Sequence, residues 1–331
     1  MNFKDLQSSQ FSGETNSRTK LRCIRDTKFS TKISKYICVA ELGSGRFGAV
    51  YKGYHETTRE PVAIKVESRE STIPTIKHET IMLNYLHSKS CKHIPRIHWF
   101  GPFNEKVCLV MTYYDCSLYD YITHQEGIGV SVGRSQLDTR HLLQMVLSAL
   151  HAIHHSGVVH RDIKPQNIML TRDKAVLIDF GMATFYIDET HQMIPESKTP
   201  KEHLCGTLPY ISYFVHLGKS YSRRDDIIST AYLYMWMNGL LFWNIFGRNT
   251  NSDELRSPEF PRIPMASASA TRPEYFANYS ETHILHPKNI YIKTQKELSY
   301  IKERVRDSRI MDFIEYAYRI LYDDVPVYAI S

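Results

Sequence analysis

Short apolar runs separated by polar turns predict strands in two parts of the chain. In the first part, apolar runs stand on both sides of a glycine-rich turn over residues 36–54, and Pro61–Ser68 is rich in branched side chains. Residues 107–114, VCLVMTYY, are a mostly apolar run that predicts a buried strand. In the second part, Ile168–Leu170 and residues 175–178 are separated by a polar turn and predict a hairpin.

Two segments have apolar residues at the three- and four-residue steps of an amphipathic helix. The longer one covers residues 137–157 and ends at Gly157, as a helix often does. The shorter one covers residues 75–88, where Glu79 stands among apolar residues at helical spacing: Ile76, Ile81, Met82 and Leu86.

The longer predicted helix carries three histidines, His151, His154 and His155. A metal site is one interpretation, but no acidic residue or cysteine stands among them in the sequence. We therefore predict that the three side chains lie on the surface of the helix.

Residues 227–247 form a run of 21 residues without a charge, which is long enough to cross a membrane. The pair Asn238 and Gly239 divides this run after about three helical turns, and several other polar side chains dilute it. A helix surrounded by other helices is also apolar on every side. We therefore expect a buried helix and no association with a membrane.

Composition is that of an ordinary globular protein. Of its residues, 42% are hydrophobic and 23% are charged. A chain of 331 residues is long enough for a well-buried core and for two lobes. The formal net charge of +6 favours acidic or phosphorylated partners. The six cysteines include no C-x-x-C pair, which indicates a reducing compartment. We expect a cytoplasmic protein, with the nucleus as the alternative.

The first 34 residues are polar, and residues 18–35 hold seven Lys or Arg against one Asp. This composition predicts a disordered basic extension over residues 1–34. No aromatic residues are interleaved for stacking on bases, so we do not expect a nucleic-acid partner. An N-terminal secretory signal is not expected either, because no apolar core follows Lys4 and Asp5.

Four polar side chains flank the hairpin predicted around residues 168–178. Asp162, Lys164 and Asn167 precede it and Asp179 follows it, so the hairpin is expected to bring them to the same end. Asn167 and Asp179 offer oxygen ligands for Mg²⁺, Asp162 can accept a hydroxyl proton, and Lys164 can neutralise a transferring phosphoryl group. Either tripeptide, H-R-D or D-F-G, could occur by chance in a surface loop. Their order and spacing together predict phosphoryl transfer.

The glycine-rich turn has Gly43, Gly45 and Gly48 in G-x-G-x-x-G spacing, followed by Val50. A dinucleotide-binding turn would lead into a helix, whereas apolar runs flank this turn on both sides. The pattern therefore predicts a hairpin whose backbone covers the phosphates of a nucleotide.

Lys65 is the lysine of the strand predicted over Pro61–Ser68, at the position expected to hold the α- and β-phosphates. The alternative is a lysine that extends to solvent from an edge strand. A lysine in a cleft needs a counter-charge, and Glu79 on the following helix is the predicted partner.

These residues together resemble a eukaryotic-type protein kinase. More specific strings make the chain similar to the casein kinase I family from about residue 36 onward, with the weakest similarity over residues 249–307. Those strings are HIPRIHWFG, DCSLYDY, YIDETHQMIP, GTLPYIS, HLGKSYSRRDD and MDFIEYAYRILYDDVPVY.

The resemblance implies an α+β protein with the bilobal protein kinase fold, which has a small, mainly antiparallel β N-lobe with one helix and a larger α-helical C-lobe. The expected lobes are residues 35–112 and 113–331. It also implies that Thr207 bonds to Asp162 and Lys164, and that Asp226 accepts backbone hydrogen bonds from the catalytic loop. The nucleotide-binding positions that it implies are Leu42, Gly43, Ser44, Gly45, Gly48, Val50, Ala63, Lys65, Glu79, Met111, Tyr113 and Tyr114.

The chain departs from the family at the loop after Thr207. Leu208 and Pro209 stand where relatives commonly carry an arginine that binds a phosphate already present on the substrate, although Arg223 and Arg224 remain. A preference for phosphorylated substrates is therefore an open expectation. The resemblance also implies a final helix beginning where the chain ends, at Ser331.

The function that the resemblance implies is a monomeric serine/threonine kinase, which uses ATP and Mg²⁺ to phosphorylate protein substrates and needs no phosphate on its activation segment. A pseudokinase scaffold is an alternative, but Lys65, Asp162 and Asp179 are all present. A small-molecule phosphotransferase is another, but such enzymes lack a long activation segment such as residues 179–212.

Overall fold

The computed structural model describes residues 31–45, 48–69, 75–127, 138–243 and 280–330. Residues 1–30 of the predicted basic extension lie outside the described residues. The prediction of disorder is wrong for Thr31–Ile33, which form the first strand of a sheet because Ile33 is buried in its core. The chain divides into two compact units: Met1–Leu118 with Met169–Gly181, and Tyr119–Ile168 with Met182–Ser331. Strands β1–β10 and helices α1–α8 are numbered in chain order over the described residues.

The first unit contains a six-stranded antiparallel sheet in the order β1-β2-β3-β4-β6-β5. Its core lies where alternate apolar side chains of β1, β2, β4 and β6 meet on one face, as the period of two in a strand requires. The strands are β1 (Thr31–Ile33), β2 (Tyr36–Gly45), β3 (Gly48–His55), β4 (Pro61–Ser68), β5 (Ile97–Phe103) and β6 (Lys106–Thr112).

Strands β2 and β3 pair as a hairpin up to Gly45 opposite Gly48. The predicted hairpin is therefore confirmed, although residues 46 and 47 at its turn lie outside the described residues. Gly48 has a φ of +135°, and a Cβ atom there would stand 2.1 Å from the carbonyl oxygen of Val66. This position accepts glycine alone, because both the backbone conformation and the space exclude a side chain.

Helix α1 (Thr75–Ser88) has the predicted limits, and Ile76, Met82 and Leu86 are buried. Ile81, which the apolar pattern also included, is 53% exposed and lies on the outer side of the helix. The helix contacts β4, β5 and β6. Apolar contact with the sheet therefore supplies the surface that a helix of this length needs for stability.

The predicted hairpin in the middle of the chain is formed by β8 (Ile168–Leu170) and β9 (Ala175–Leu177). At the turn between them, the hydroxyl of Thr171 donates to the carbonyl oxygen of Lys174 over 2.9 Å. The amide of Leu177 donates to the carbonyl oxygen of His93, also over 2.9 Å. The strand that leads to Asp179 is thus tied to the rest of the first unit.

The second unit is mainly helical. A short antiparallel pair, β7 (Val158–Val159) with β10 (Thr184–Phe185), accompanies the helices. The helices are α2 (Leu118–Gly127), α3 (Thr139–His155), α4 (Tyr213–His216), α5 (Arg223–Met237), α6 (Pro287–Gln295), α7 (Leu298–Arg304) and α8 (Ser308–Arg319).

Helix α3 confirms the prediction made for residues 137–157. Its first turn is capped by Asp138, whose carboxylate accepts the amide of His141 over 2.9 Å. Its apolar face, which includes Leu143, Leu147 and Leu150, is fully buried.

Every residue of α5 is buried, and the helix ends at Met237, just before Asn238 and Gly239. The prediction of a buried helix is therefore confirmed for the described part of the charge-free run, while residues 244–247 lie outside it. No helix in the described ranges combines the length and the apolar character that crossing a membrane would require.

Candidate active site

In the first unit, Lys65 of β4 lies between two carboxylates. Its Nζ is 2.7 Å from Oε2 of Glu79 on α1 and 2.7 Å from Oδ1 of Asp179. Burial alone would lower the pKa of the Lys65 ammonium, but the two carboxylates outweigh burial and raise it. Lys65 therefore stays charged at neutral pH.

The second oxygen of Glu79 accepts a hydrogen bond from the amide of Phe180 over 3.2 Å. Glu79 is almost fully buried, and burial raises the pKa of its carboxyl while the adjacent Lys65 ammonium opposes that rise. Asp179, the residue before Phe180, has a φ of +63°, in the left-handed region that non-glycine residues seldom adopt. One buried carboxylate thus connects α1, β4 and the D-F-G segment.

In the second unit, the Asp162 carboxylate accepts hydrogen bonds on both oxygens. Oδ1 accepts the amide of Thr207 over 2.9 Å and its hydroxyl over 2.6 Å. Oδ2 accepts Nζ of Lys164 over 2.7 Å and Nδ2 of Asn167 over 2.9 Å. Lys164 Nζ also donates to the Thr207 hydroxyl over 3.0 Å. Because three neighbours hold the carboxylate, its direction is set before any substrate binds.

Asn167 ends a short 3₁₀ turn, Pro165–Asn167, and its side chain is buried. Its Nδ2 also donates to the backbone oxygen of Asp162 over 2.9 Å. Both bonds use the amide nitrogen, so the amide oxygen is turned away from Asp162. That oxygen is the atom suited to a hard cation.

The loop of residues 160–167 carries Asp162 and is called the catalytic loop below. It is held by Asp226, the fourth residue of α5. Its Oδ2 accepts the amide of His160 over 2.8 Å, and its Oδ1 accepts the amide of Arg161 over 3.0 Å. Burial would raise the pKa of this carboxyl, but hydrogen bonds from His154 and the loop backbone outweigh burial and lower it. Asp226 is therefore ionised, and its bonds to the loop agree with the expectation.

The prediction that His154 lies on the helix surface is wrong. The side chain is 1% exposed, and its Nε2 lies 2.9 Å from Oδ2 of Asp226. The acidic partner comes from a helix 72 residues further along the chain, which sequence neighbours could not reveal. His151 and His155 are exposed, as predicted. Within the described ranges, no cluster of three or more His, Cys, Asp or Glu is placed to hold a metal ion.

The loop after Thr207 is anchored by Lys296, a buried residue at the end of α6. Its Nζ donates to the carbonyl oxygens of Leu208 over 2.9 Å and Ile211 over 2.6 Å, and lies 3.2 Å from Nε2 of His216. Burial lowers the pKa of Lys296 well below its ordinary value. The same nitrogen lies 4.9 Å from the centre of the Tyr232 ring.

The family model described as the protein kinase domain matches residues 36–318 of the chain. The chain belongs to the protein kinase family. The predicted fold class is thereby confirmed: the antiparallel sheet of the first unit is the core of the N-lobe, and the helical second unit is the C-lobe. Membership makes this protein an ATP-binding kinase that acts on protein substrates.

The kinase carries its predicted nucleotide-binding residues on adjacent strands of the N-lobe sheet. Ala63 of β4 pairs with Met111 of β6, and Lys65 pairs with Val50 of β3. Leu42, Gly43, Ser44 and Gly45 lie on β2, Gly48 lies on β3, and Tyr113 and Tyr114 follow β6.

Arg223 and Arg224 of the kinase are buried and already engaged. The guanidinium of Arg223 lies 4.7 Å from the centre of the Tyr186 ring and donates to the carbonyl oxygen of Asp323 over 2.8 Å. The guanidinium of Arg224 lies 4.0 Å from the centre of the Phe214 ring. Both side chains are therefore held by contacts within the C-lobe.

Two residues that support the site were not predicted from the sequence. Lys296 stands in a polar segment with no motif around it. Glu67, two residues after Lys65, accepts the amides of Thr75 over 3.2 Å and of Ile76 over 2.8 Å at the start of α1. The K-x-E spacing is the only local sign of that role.

Proposed function

We propose that this kinase is a serine/threonine kinase of casein kinase I type, which transfers the γ-phosphate of ATP to Ser and Thr hydroxyls of protein substrates. The observation that carries the proposal is the Asp162 carboxylate, held by Thr207, Lys164 and Asn167. Lys164 and Thr207 in these positions fit acceptance of an aliphatic hydroxyl, and the strings found in the sequence support the casein kinase I type.

Asp162 is proposed as the base that orients the substrate hydroxyl and accepts its proton as the bond to phosphorus forms. Lys164, hydrogen-bonded to the same carboxylate, is proposed to offset negative charge on the phosphoryl group in transit. Thr207 completes this arrangement by holding both Asp162 and Lys164.

Lys65 is proposed to hold the α- and β-phosphates, with Glu79 keeping it charged and in place. The residues of the β2–β3 hairpin, Leu42 to Gly48, are proposed to cover the phosphates with backbone amides. Val50, Ala63 and Met111 are proposed to line the adenine pocket, and the backbone of Tyr113 and Tyr114 to bond to the adenine edge.

Asn167 and Asp179 are proposed as Mg²⁺ ligands. The donor set fits this ion, because Mg²⁺ keeps several waters and binds through one or two protein oxygens together with substrate phosphates. The Asn167 amide nitrogen donates to Asp162, which leaves the amide oxygen of Asn167 available as the proposed ligand. When bound, Mg²⁺ would neutralise charge on the ATP phosphates.

We also propose that the kinase is a monomer with lobes at residues 35–112 and 113–331, preceded by a basic N-terminal extension. Its preferred substrates are proposed to be acidic or phosphorylated, in keeping with the net charge of +6. The engagement of Arg223 and Arg224 within the C-lobe favours acidic residues over a single bound phosphate as the recognised feature.

The test is incubation of the full chain with labelled ATP and Mg²⁺, with casein and without it, followed by analysis of the phosphorylated amino acids. We expect label on Ser and Thr, and at least about a hundred-fold lower turnover in Asp162→Asn, because that variant loses the base. Label on Tyr would refute the serine/threonine assignment. ATP binding without transfer of phosphate would indicate a pseudokinase. Label on a metabolite would indicate a small-molecule phosphotransferase.

The casein kinase I type is tested separately with a peptide library that contains acidic, neutral, basic and phosphorylated sequences around one serine. We expect acidic peptides to be phosphorylated faster than neutral or basic ones. A phosphorylated residue near the serine should not increase the rate more than acidic residues do. A preference for basic peptides would reject this type while leaving the kinase activity intact.

A further inference from the structure

The segment after α8, residues 321–330, follows a fixed path along helix α3. Gln144 of α3 holds it on both sides: its Nε2 donates to the carbonyl oxygen of Tyr328 over 2.9 Å, and its Oε1 accepts the amide of Ile330 over 3.1 Å. The hydroxyl of Tyr316 on α8 bonds to the backbone of Val327. The segment is therefore anchored by specific polar bonds from two helices.

Tyr328 extends from this segment to His154, the buried histidine at the end of α3. The two residues are joined by a hydrogen bond of 2.7 Å between the Tyr328 hydroxyl and Nδ1 of His154. The Tyr328 ring also packs against His151, with 4.8 Å between ring centres. The opposite nitrogen of His154, Nε2, lies 2.9 Å from Asp226. His154 is thus held from both sides.

The proton on His154 can be assigned from its two partners. Asp226 is ionised and can only accept, so the nitrogen that faces it, Nε2, must carry the proton. Burial lowers the pKa of His154, with Arg223 and His160 acting in the same direction against the opposite effect of Asp226, so the ring is neutral. Its Nδ1 is then unprotonated and accepts a hydrogen bond from the hydroxyl of Tyr328, whose pKa is raised by burial.

Asp226 connects His154 to the catalytic loop. The oxygen that accepts His154 Nε2 also accepts the amide of His160, and the other oxygen accepts the amide of Arg161 and the hydroxyl of Tyr221. These two amides immediately precede Asp162. A rotation of the Asp226 carboxylate would therefore move the backbone that carries the proposed base.

We propose that Tyr328 is a positioning residue for the catalytic loop: its hydroxyl donates to Nδ1 of His154, stabilises the neutral tautomer that donates to Asp226, and thereby fixes the carboxylate that holds the loop. This inference rests on the proposed role of Asp162. Removing the Tyr328 hydroxyl leaves Nδ1 of His154 without its hydrogen-bond donor. The imidazole can then bind a proton at Nδ1, or its ring can flip. Either change alters the bond to Asp226 while leaving the apolar packing of the ring in place.

The test compares Tyr328→Phe with Tyr316→Phe in the full chain. Each variant loses one hydroxyl that joins residues 321–330 to a helix, but only the Tyr328 hydroxyl contacts His154. For Tyr328→Phe we expect kcat on casein to fall about three- to ten-fold with KM for ATP within about twofold, because the loop moves and the N-lobe lysine does not. For Tyr316→Phe we expect kcat within about twofold of wild type. An equal fall in both variants, or none in Tyr328→Phe, would overturn the proposal.

A second measurement does not depend on activity. The ¹⁵N shifts of the His154 ring, assigned by comparison with His154→Gln, report which nitrogen carries the proton. We expect the proton on Nε2 in the wild type and a higher pKa of His154 in Tyr328→Phe. A wild-type proton on Nδ1, or a pKa unchanged by the substitution, would refute the inference. If the wild type lacked kinase activity, the proposed function would fail while these shifts still decided the role of Tyr328.

Discussion

The hydroxyl of Thr207 makes two of the bonds that define the proposed base, one to Asp162 and one to Lys164. Neither partner is more than partly exposed, so solvent replaces a lost bond poorly. The residue thus acts through its side-chain oxygen, while its amide makes a separate bond to Asp162 that any residue in this backbone conformation could make.

Thr207→Val keeps the shape and the amide of the residue and removes the hydroxyl. Loss of a hydrogen bond to a charged group costs about 1.5–3 kcal/mol, so we expect kcat to fall about 10- to 150-fold with little change in KM for ATP. Thr207→Ser, which retains the oxygen, is the matched control and should stay within about threefold of wild type. Steady-state kinetics on casein decides the matter, and similar activity of the Val and Ser variants would count against the role of the hydroxyl.

At the scale of elements, α1 begins at a carboxylate that comes from the neighbouring strand β4. Glu67 is buried and accepts the amides of Thr75 and Ile76 together with the Thr75 hydroxyl. An acid at a helix N-terminus satisfies amides that have no partner within the helix and interacts favourably with its dipole. Because Glu79 lies one turn further along the same helix, this cap also sets the partner of Lys65.

Glu67→Gln removes the charge from this cap and keeps most of its size. We expect the free energy of unfolding to fall by about 1–2 kcal/mol, since a buried charged acceptor of several bonds is replaced by a neutral one. KM for ATP should rise as well, because α1 carries Glu79. Glu56→Gln, at an exposed acid that pairs with Lys32, is the control and should change stability by less than about 0.5 kcal/mol. Urea unfolding compares the two, and equal stabilities would show that the cap contributes nothing.

The limits of these elements were predictable where the pattern is local. Apolar spacing identified α1 and α3, and Asn238 with Gly239 marked the end of α5, because helix period and helix breakers act within a few residues. The cap at Glu67 was not predicted, because its carboxylate reaches amides that lie eight and nine residues further along the chain. The exposure of Ile81 was not predicted either, since spacing identifies a face but not its edges.

At the scale of the whole molecule, two of the buried histidines that the structure describes in the C-lobe, His154 and His216, are held in neutral form. Burial lowers the pKa of His154, and burial together with Lys296 and Lys293 lowers the pKa of His216 well below the ordinary value. In the unfolded chain both titrate near pH 6.5. Their contribution to stability is therefore full above about pH 6.5 and is lost as pH falls towards the folded pKa, because the unfolded state then binds more protons.

His216→Gln tests this dependence. Each buried histidine contributes at most about 1.4 kcal/mol of unfolding free energy per pH unit between its two pKa values. We expect stability to fall less steeply from pH 7 to pH 5 in His216→Gln than in the wild type, while His155→Gln, at an exposed position of α3, should retain the wild-type slope. Urea unfolding at several pH values measures the slopes, and parallel curves for the wild type and His216→Gln would contradict the assignment.

The amino-acid sequence by itself determined the β2–β3 and β8–β9 hairpins, helices α1, α3 and α5, the kinase fold class and the residues proposed to carry the chemistry. Repeating apolar spacing, turn residues and short motifs express these features within a few positions of the chain. Only the tertiary structure decided that His154 is buried against Asp226, that Lys296 anchors the loop after Thr207, and that Tyr328 reaches His154. These contacts join residues 72, 88 and 174 positions apart, and a buried polar group finds its partner through folding and not through sequence proximity.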